Sequence, residues 1–141
     1  MKKLNMQTRE GGCLCGAVRY QLKAMPQSVV VCHCTHCQRA SGSAFSVNLL
    51  VKEDAYEQRG ETKFFLDTGD SGLPSHRHFC SHCGSPLMTK AANLPGMVLL
   101  KAGTLDNQEG LQPQAEIYTD HATQWHSPVP GSTRFPQAPQ F

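Results

Sequence analysis

Short apolar runs, alternating with polar positions and separated at short intervals by turn residues, make up most of the chain. Ala17-Val18-Arg19-Tyr20-Gln21-Leu22 repeats with the period of two that marks a half-buried strand. Met25-Pro26-Gln27-Ser28 reads as a turn, and the β-branched run Ser28-Val29-Val30-Val31-Cys32 as a buried strand. Thr35 to Ala40 has room for one short helical turn before Ser41-Gly42-Ser43. Strands are predicted again over Ala44–Val51, Glu61–Asp67, His76–Cys80 and Met97–Ala102, with a loop over Thr68–Pro74 and a weaker strand over Glu116–Thr119. Pro128, Pro130, Pro136 and Pro139 each remove a backbone donor, so the tail is no central strand or helix. No long amphipathic helix is visible. The pattern predicts an all-β fold of mostly antiparallel sheets with little helix.

A length of 141 residues suits one domain, here 1–141, with a polar lead-in over 1–10 and a Pro-rich tail over 127–141. The chain is 39% hydrophobic and 17% charged, which excludes a disordered or collagen-like protein. A formal net charge of +2 gives no electrostatic footprint for nucleic acid. The first ten residues are charged and polar rather than signal-like, and the longest apolar stretch, Val29 to Cys32, is far too short to cross a bilayer. The expectation is a soluble, cytoplasmic protein with neither a nucleic-acid nor a membrane partner.

The cysteines change the picture most. All seven fall into three clusters: Cys13 and Cys15; Cys32, Cys34 and Cys37; Cys80 and Cys83. In a reducing compartment such clusters are metal ligands rather than disulfides, and an odd count fits poorly with a closed disulfide framework. Cys80-x-x-Cys83-Gly84 can chelate one ion from a single tight turn. Cys13-x-Cys15-Gly16 is its natural complement, and together the two pairs close a tetrahedral, structural zinc site. Cys32-x-Cys34-x-x-Cys37 then has no eighth cysteine to complete it. Either a histidine closes it (His33, His36, His76, His78 and His121 are the candidates) or one corner stays open for water or substrate.

The open version has a chemical consequence. Three thiolates on Zn²⁺ leave a net negative charge, so bound water ionises less readily than in a histidine-rich site, and zinc-hydroxide hydrolysis is disfavoured. A soft ion with a free corner suits a thiol cosubstrate and a carbon–sulfur bond being made or broken. Arg39, just past this segment, is either a carboxylate ligand or a solvated helix residue. Trp125 and Phe135 are expected to pack the core, and His82 to face solvent. There is no Gly-rich phosphate loop and no Ser–His–Asp signature.

Three ordered motifs, Gly12-Cys13-Leu14-Cys15-Gly16-Ala17-Val18, Cys32-His33-Cys34-Thr35-His36-Cys37-Gln38-Arg39 and Phe79-Cys80-Ser81-His82-Cys83-Gly84-Ser85, resemble the glutathione-dependent formaldehyde-activating enzyme family. The likeness runs from about Gly11 through Ile117-Tyr118 and Trp125. It implies a tent-like fold of β-sheets with two zinc ions per chain. The structural zinc would be held by Cys13, Cys15, Cys80 and Cys83, and the catalytic zinc by Cys32, Cys34 and Cys37. The implied partners are a small glutathione-like thiol and an aldehyde. The implied reaction is condensation of formaldehyde with glutathione to S-hydroxymethylglutathione, the chemistry of a carbon–sulfur lyase. One departure bears on substrate: the family often carries an Arg a few residues before the Trp that matches Trp125, and Thr119-Asp120-His121-Ala122-Thr123-Gln124 has none. The resemblance extends to centromere protein V, which keeps a second expectation in play, a non-catalytic zinc module that binds a partner protein.

Overall fold

The computed structural model describes residues 8–69 and 71–138. The start of the lead-in, Asp70 of the predicted loop and the end of the tail lie outside the described residues. In chain order the strands are β1 (Arg9–Gly12), β2 (Arg19–Leu22), β3 (Ser28–Cys32), β4 (Ser46–Lys52), β5 (Tyr56–Arg59), β6 (Thr62–Thr68), β7 (Pro74–Cys80), β8 (Pro86–Ala91), β9 (Met97–Lys101), β10 (Ala115–Ile117) and β11 (Thr133–Arg134). One α-helix, α1 (Thr35–Ser41), follows β3. The strands form a three-stranded sheet, β1-β2-β5, and an eight-stranded sheet, β11-β10-β3-β4-β9-β8-β7-β6. The fold is mostly β and mostly antiparallel; the exception is β10, which runs parallel to both β3 and β11.

Period-two patterning decides which face of each strand is covered. Val29 and Val31 of β3, Leu49 and Val51 of β4, and Val98 and Leu100 of β9 point to one face of the large sheet. There all of them but Val31 share a core with Tyr20 and Leu22 of β2, and Val31 is buried beside it, paired with Val47 and Glu116. Leu22, Leu49, Leu87 and Leu100 are almost completely buried, each contributing roughly 1.5–3 kcal/mol of transfer free energy. Leu87 is the extra residue of a bulge opposite β7, which lets both Leu87 and Met88 reach the core.

The sequence pattern misses β1, β5, β8 and β11. β1 begins at Arg9 inside the expected lead-in and pairs with β2 through Gly11 and Gly12, poor strand formers by propensity. Gly11 is there for space: a Cβ would collide with the Thr104 carbonyl and the Tyr20 ring. Trp125 departs from expectation too. It is 73% exposed rather than in the core, and Phe135 is only half-buried.

The proline-rich tail is fastened by one buried carboxylate. Glu116 of β10 is completely buried and accepts hydrogen bonds from His33 Nε2 (2.7 Å), His126 Nε2 (2.6 Å), the Val129 amide (2.7 Å) and Arg134 Nη1 (2.8 Å). Burial alone would raise its pKa, but the His33 and Val129 donors, His126 and the Arg134 charge outweigh it and hold the carboxyl at about 2. Because the folded value lies below the ordinary 4.5, the carboxylate's stabilisation is complete above about pH 4.5 and is lost as pH falls towards 2. Glu116→Gln is expected to cost about 3 kcal/mol in urea denaturation at pH 7, with the gap to wild type closing as pH falls from 4.5 to 2. Equal midpoints at pH 7 would contradict the role given to Glu116.

Candidate metal centres

The first centre joins the two sheets. Cys13 and Cys15 lie in the turn between β1 and β2, Cys80 closes β7, and Cys83 lies in the turn between β7 and β8. Their four sulfurs lie within 4.8 Å of one another. Gly16 and Gly84, one after each pair, take φ of 83° and 80°, the left-handed turn that folds each pair back on itself. Amides point at the sulfurs: Val18 to Cys13 Sγ at 3.3 Å, and His82 and Cys83 to Cys80 Sγ at 3.3 and 3.4 Å. The Ser85 hydroxyl accepts from the Leu14 amide at 3.0 Å and sits 3.2 Å from Cys83 Sγ, so it ties the two turns together. The Ser85 hydroxyl and amide pull the Cys83 thiol down to about 5, which favours a thiolate.

These distances fit a metal better than a disulfide. Cys13 Sγ and Cys15 Sγ are 3.6 Å apart, and Cys15 Sγ and Cys80 Sγ 3.8 Å. Four sulfurs on a tetrahedron about 2.3 Å from an ion lie about 3.8 Å from each other, whereas a disulfide closes to about 2.05 Å. All seven cysteines are free.

The second centre grows out of one strand end. Cys32 closes β3, Cys34 caps α1 and its sulfur accepts from the Cys37 amide at 3.2 Å, and Cys37 sits in the first helical turn. The three sulfurs again lie within 4.8 Å of one another. Among the described residues no histidine or carboxylate joins them. His33 points to Glu116 and His36 to Asp67 (2.8 Å); His78 meets Thr62 (2.8 Å), His76 lies against Phe64, and His121 neighbours Tyr118. None of the histidines considered as a closing ligand joins the three sulfurs. The three thiols share protons unevenly. Hydrogen bonds from Cys32 and Cys34, helped by Ser46 and by the Lys101 charge, drive the Cys37 thiol well below the ordinary range, and Cys32 is pushed up in return.

Residues without a sequence signal surround this centre. Asp67 accepts from Arg77 Nε at 2.9 Å and from His36, which fixes the β6–β7 hairpin against α1 and places the Arg77 guanidinium beside Cys37. Lys101 Nζ donates to Asn48 Oδ1 at 2.7 Å, and Asn48 Nδ2 donates to Ser46 Oγ at 2.9 Å. Two cations thus stand near a group that is negative once ionised. Burial lowers the Lys101 pKa, and the neighbouring Cys37 charge opposes that shift.

Register explains why these side chains meet. Residues directly opposite across a ladder point to the same face. Opposite the core, one row runs Ser28–Leu50–Leu99–Thr89–Arg77, and the next runs Ala115–Val30–Asn48–Lys101. Cys32 lies on this same face, paired with Ser46 and Ile117. The rows line a cavity of about 150 Å³ that contains Cys32 and Cys37. A separate open groove of about 430 Å³ is formed by Thr35, His36, Arg39, Phe65, Asp67 and Arg77. Arg77 belongs to both. Arg39 is exposed on the groove and makes no ion pair among the described residues, and His82 is exposed as expected.

Comparison with known proteins places this geometry in a family. A protein of Halomonas elongata, provisionally named a glutathione-dependent formaldehyde-activating enzyme, is 33% identical over 103 residues, covering 70% of this chain. The match spans 66% of that relative's length. A crystal structure of a Rhodobacter sphaeroides protein superposes with a TM-score of 0.56 at 19% identity, covering 89% of this chain and 98% of that one, which establishes a shared fold alone. The profile of the glutathione-dependent formaldehyde-activating enzyme family matches residues 8–121, and the chain belongs to that family.

Proposed function

We propose that this chain is a zinc-dependent carbon–sulfur lyase that makes or breaks the adduct of a glutathione-like thiol with an aldehyde. The observation that carries the reading is the uneven sorting of the sulfurs: four in one group, three in another, and no further side chain joining the three. Family membership supports the same chemistry, as does the name of the Halomonas relative. Cys13, Cys15, Cys80 and Cys83 would hold a structural zinc, and Cys32, Cys34 and Cys37 a catalytic one.

At the three-cysteine centre zinc would supply a soft Lewis acid with one position free for a sulfur ligand. The chain's own residues do the rest. Arg77 and Lys101 offset the negative charge of the thiolate cluster, which favours the approach of a further anion. Arg39 and Arg77 line the open groove, where the carboxylates of a glutathione-like thiol find guanidinium partners. Hydrogen bonds from Cys32 and Cys34, with a smaller one from Ser46, favour the ionised form of Cys37. The cavity walls limit water around the reacting carbon. Among the described residues no helix is long and apolar enough to cross a membrane.

A partner-binding module without catalysis is the second reading. It requires a closed second centre, and the engagement of His33, His36 and His78 with Glu116, Asp67 and Thr62 speaks against one.

Elemental analysis is expected to find two zinc ions per chain, with a chelator removing one at least tenfold faster; two ions lost at equal rates would contradict an open and a closed site. Cys34→Ser is expected to lower thiol-dependent aldehyde turnover at least a hundredfold while thermal unfolding stays within a few degrees of wild type. Undiminished turnover by that variant would sink the catalytic assignment. Cys80→Ser is expected to fail to fold stably, because structural zinc contributes on the order of 10–16 kcal/mol.

A further inference from the structure

We propose that the cavity beside the three-cysteine group holds the electrophile by an apolar tail of about four to six carbons, with its carbonyl oxygen turned to Lys101, so that the preferred aldehyde is larger than formaldehyde. The proposal rests on the lyase reading and names the substrate class of that site.

The cavity is a second apolar surface that the fold leaves uncovered. Val30, Leu50, Leu99 and Ile117 sit on the face of the large sheet opposite the core, and all four are only half-buried. Leu94, in the loop between β8 and β9, also lines the space, and its loop is pinned by the bonds Leu94 N to Ala91 O (3.0 Å) and Met97 N to Leu94 O (3.2 Å). A volume of about 150 Å³ is large for formaldehyde, which has two heavy atoms. An apolar cavity of about that size accommodates benzene. Formaldehyde alone would leave most of these aliphatic walls facing water.

The charged and amide side chains gather toward the cysteine end, and Ser28 and Ser75 are the polar residues away from it. Lys101 carries three N–H donors, and the bond to Asn48 uses one of them. Thr89 is 5% exposed, and its hydroxyl is buried without a hydrogen-bond partner among the described residues. Thr89 stands opposite Leu99, two residues from Lys101 along β9, so the two lie on one diagonal of the same sheet face. A carbonyl oxygen has two lone pairs, one for each donor. The outer groove, with Arg39 and Arg77, meets the needs of a thiol bearing carboxylates, so the inner cavity is left to the other reactant.

In the reaction the thiolate sulfur adds to the carbonyl carbon. One carbon–sulfur bond forms, and the π pair moves to oxygen. The oxygen takes a proton from water, replacing the one the thiol released on ionising, so thiol and aldehyde combine without loss of atoms. Lys101 stabilises the charge that grows on oxygen and keeps its own protons.

The test uses the zinc-loaded chain with glutathione and formaldehyde, propanal or pentanal. Expected is a kcat/KM, above the uncatalysed rate, that climbs about fourfold per methylene through pentanal. Leu99→Phe, which fills the cavity, should flatten the series and cut the pentanal value at least tenfold. Lys101→Gln should lower kcat for every aldehyde while the slope with chain length persists. Pentanamide, an unreactive analogue, gives a readout without turnover: calorimetry should detect its binding, weakened at least tenfold in Leu99→Phe. Turnover that is flat or falling with chain length overturns the proposal and leaves the lyase reading intact. Absence of turnover with every pair overturns the lyase reading; pentanamide binding lost in Leu99→Phe then still supports the cavity as a carbonyl site, and no binding overturns it.

Discussion

Four cysteine sulfurs brought within 4.8 Å from two distant turns are the constraint on which the architecture rests. The small sheet consists of strands of four residues each, and Cys13 and Cys15 in its turn lie beside Cys80, the last residue of β7, and Cys83 in the turn that follows. Metal-free, four thiols at this spacing offer each other weak hydrogen bonds, and ionising more than one brings repulsion. With zinc, the proposed occupant, the same four sulfurs contribute on the order of 10–16 kcal/mol, comparable to the roughly 5–15 kcal/mol net stability of a whole domain. The position of β7, and with it Arg77, then follows from a metal joint at its far end.

The large sheet has a different use for each face. One face supplies Leu49, Val51, Val98 and Leu100 to the core. The other carries Val30, Leu50, Leu99, Asn48, Lys101 and Thr89 into the cavity at the three-cysteine group. Strand alternation makes this economical, since neighbouring residues on β9 serve the fold and the site in turn. Leu100 packs the core, while Leu99 and Lys101 look the other way. The Asp67 carboxylate adds orientation by gripping His36 on the helix and Arg77 on the hairpin together.

The grouping of the cysteines into four and three was legible in the sequence, because the spacing within each cluster is a local property. The strand over Ser28–Cys32 and the helical turn after it follow directly from β-branching and from the break at Ser41-Gly42-Ser43. β1 and β5 were not legible: Gly11 and Gly12 are weak strand formers, and Tyr56-Glu57-Gln58-Arg59 is mostly polar, so pairing with β2 decides their conformation. β8 starts with a proline and contains a bulge, which breaks its alternation. Arg77 and Lys101 escaped notice for another reason. Each reads locally as an ordinary charged residue within or after a strand, and only the register of β7, β8, β9 and β4 brings them to Cys37. Glu116 and His33 lie 83 positions apart, so no local pattern announces their pairing.

The family supplies the chemical context, and the uneven distribution of sulfur supplies this chain's own argument within it. Zinc K-edge X-ray absorption of the metal-loaded protein tests that distribution most directly. The account predicts an average shell between three and four sulfurs per zinc, completed by a light atom, that moves to four sulfurs when glutathione is added. Four protein ligands on both ions, with a shell that glutathione leaves unchanged, would contradict it.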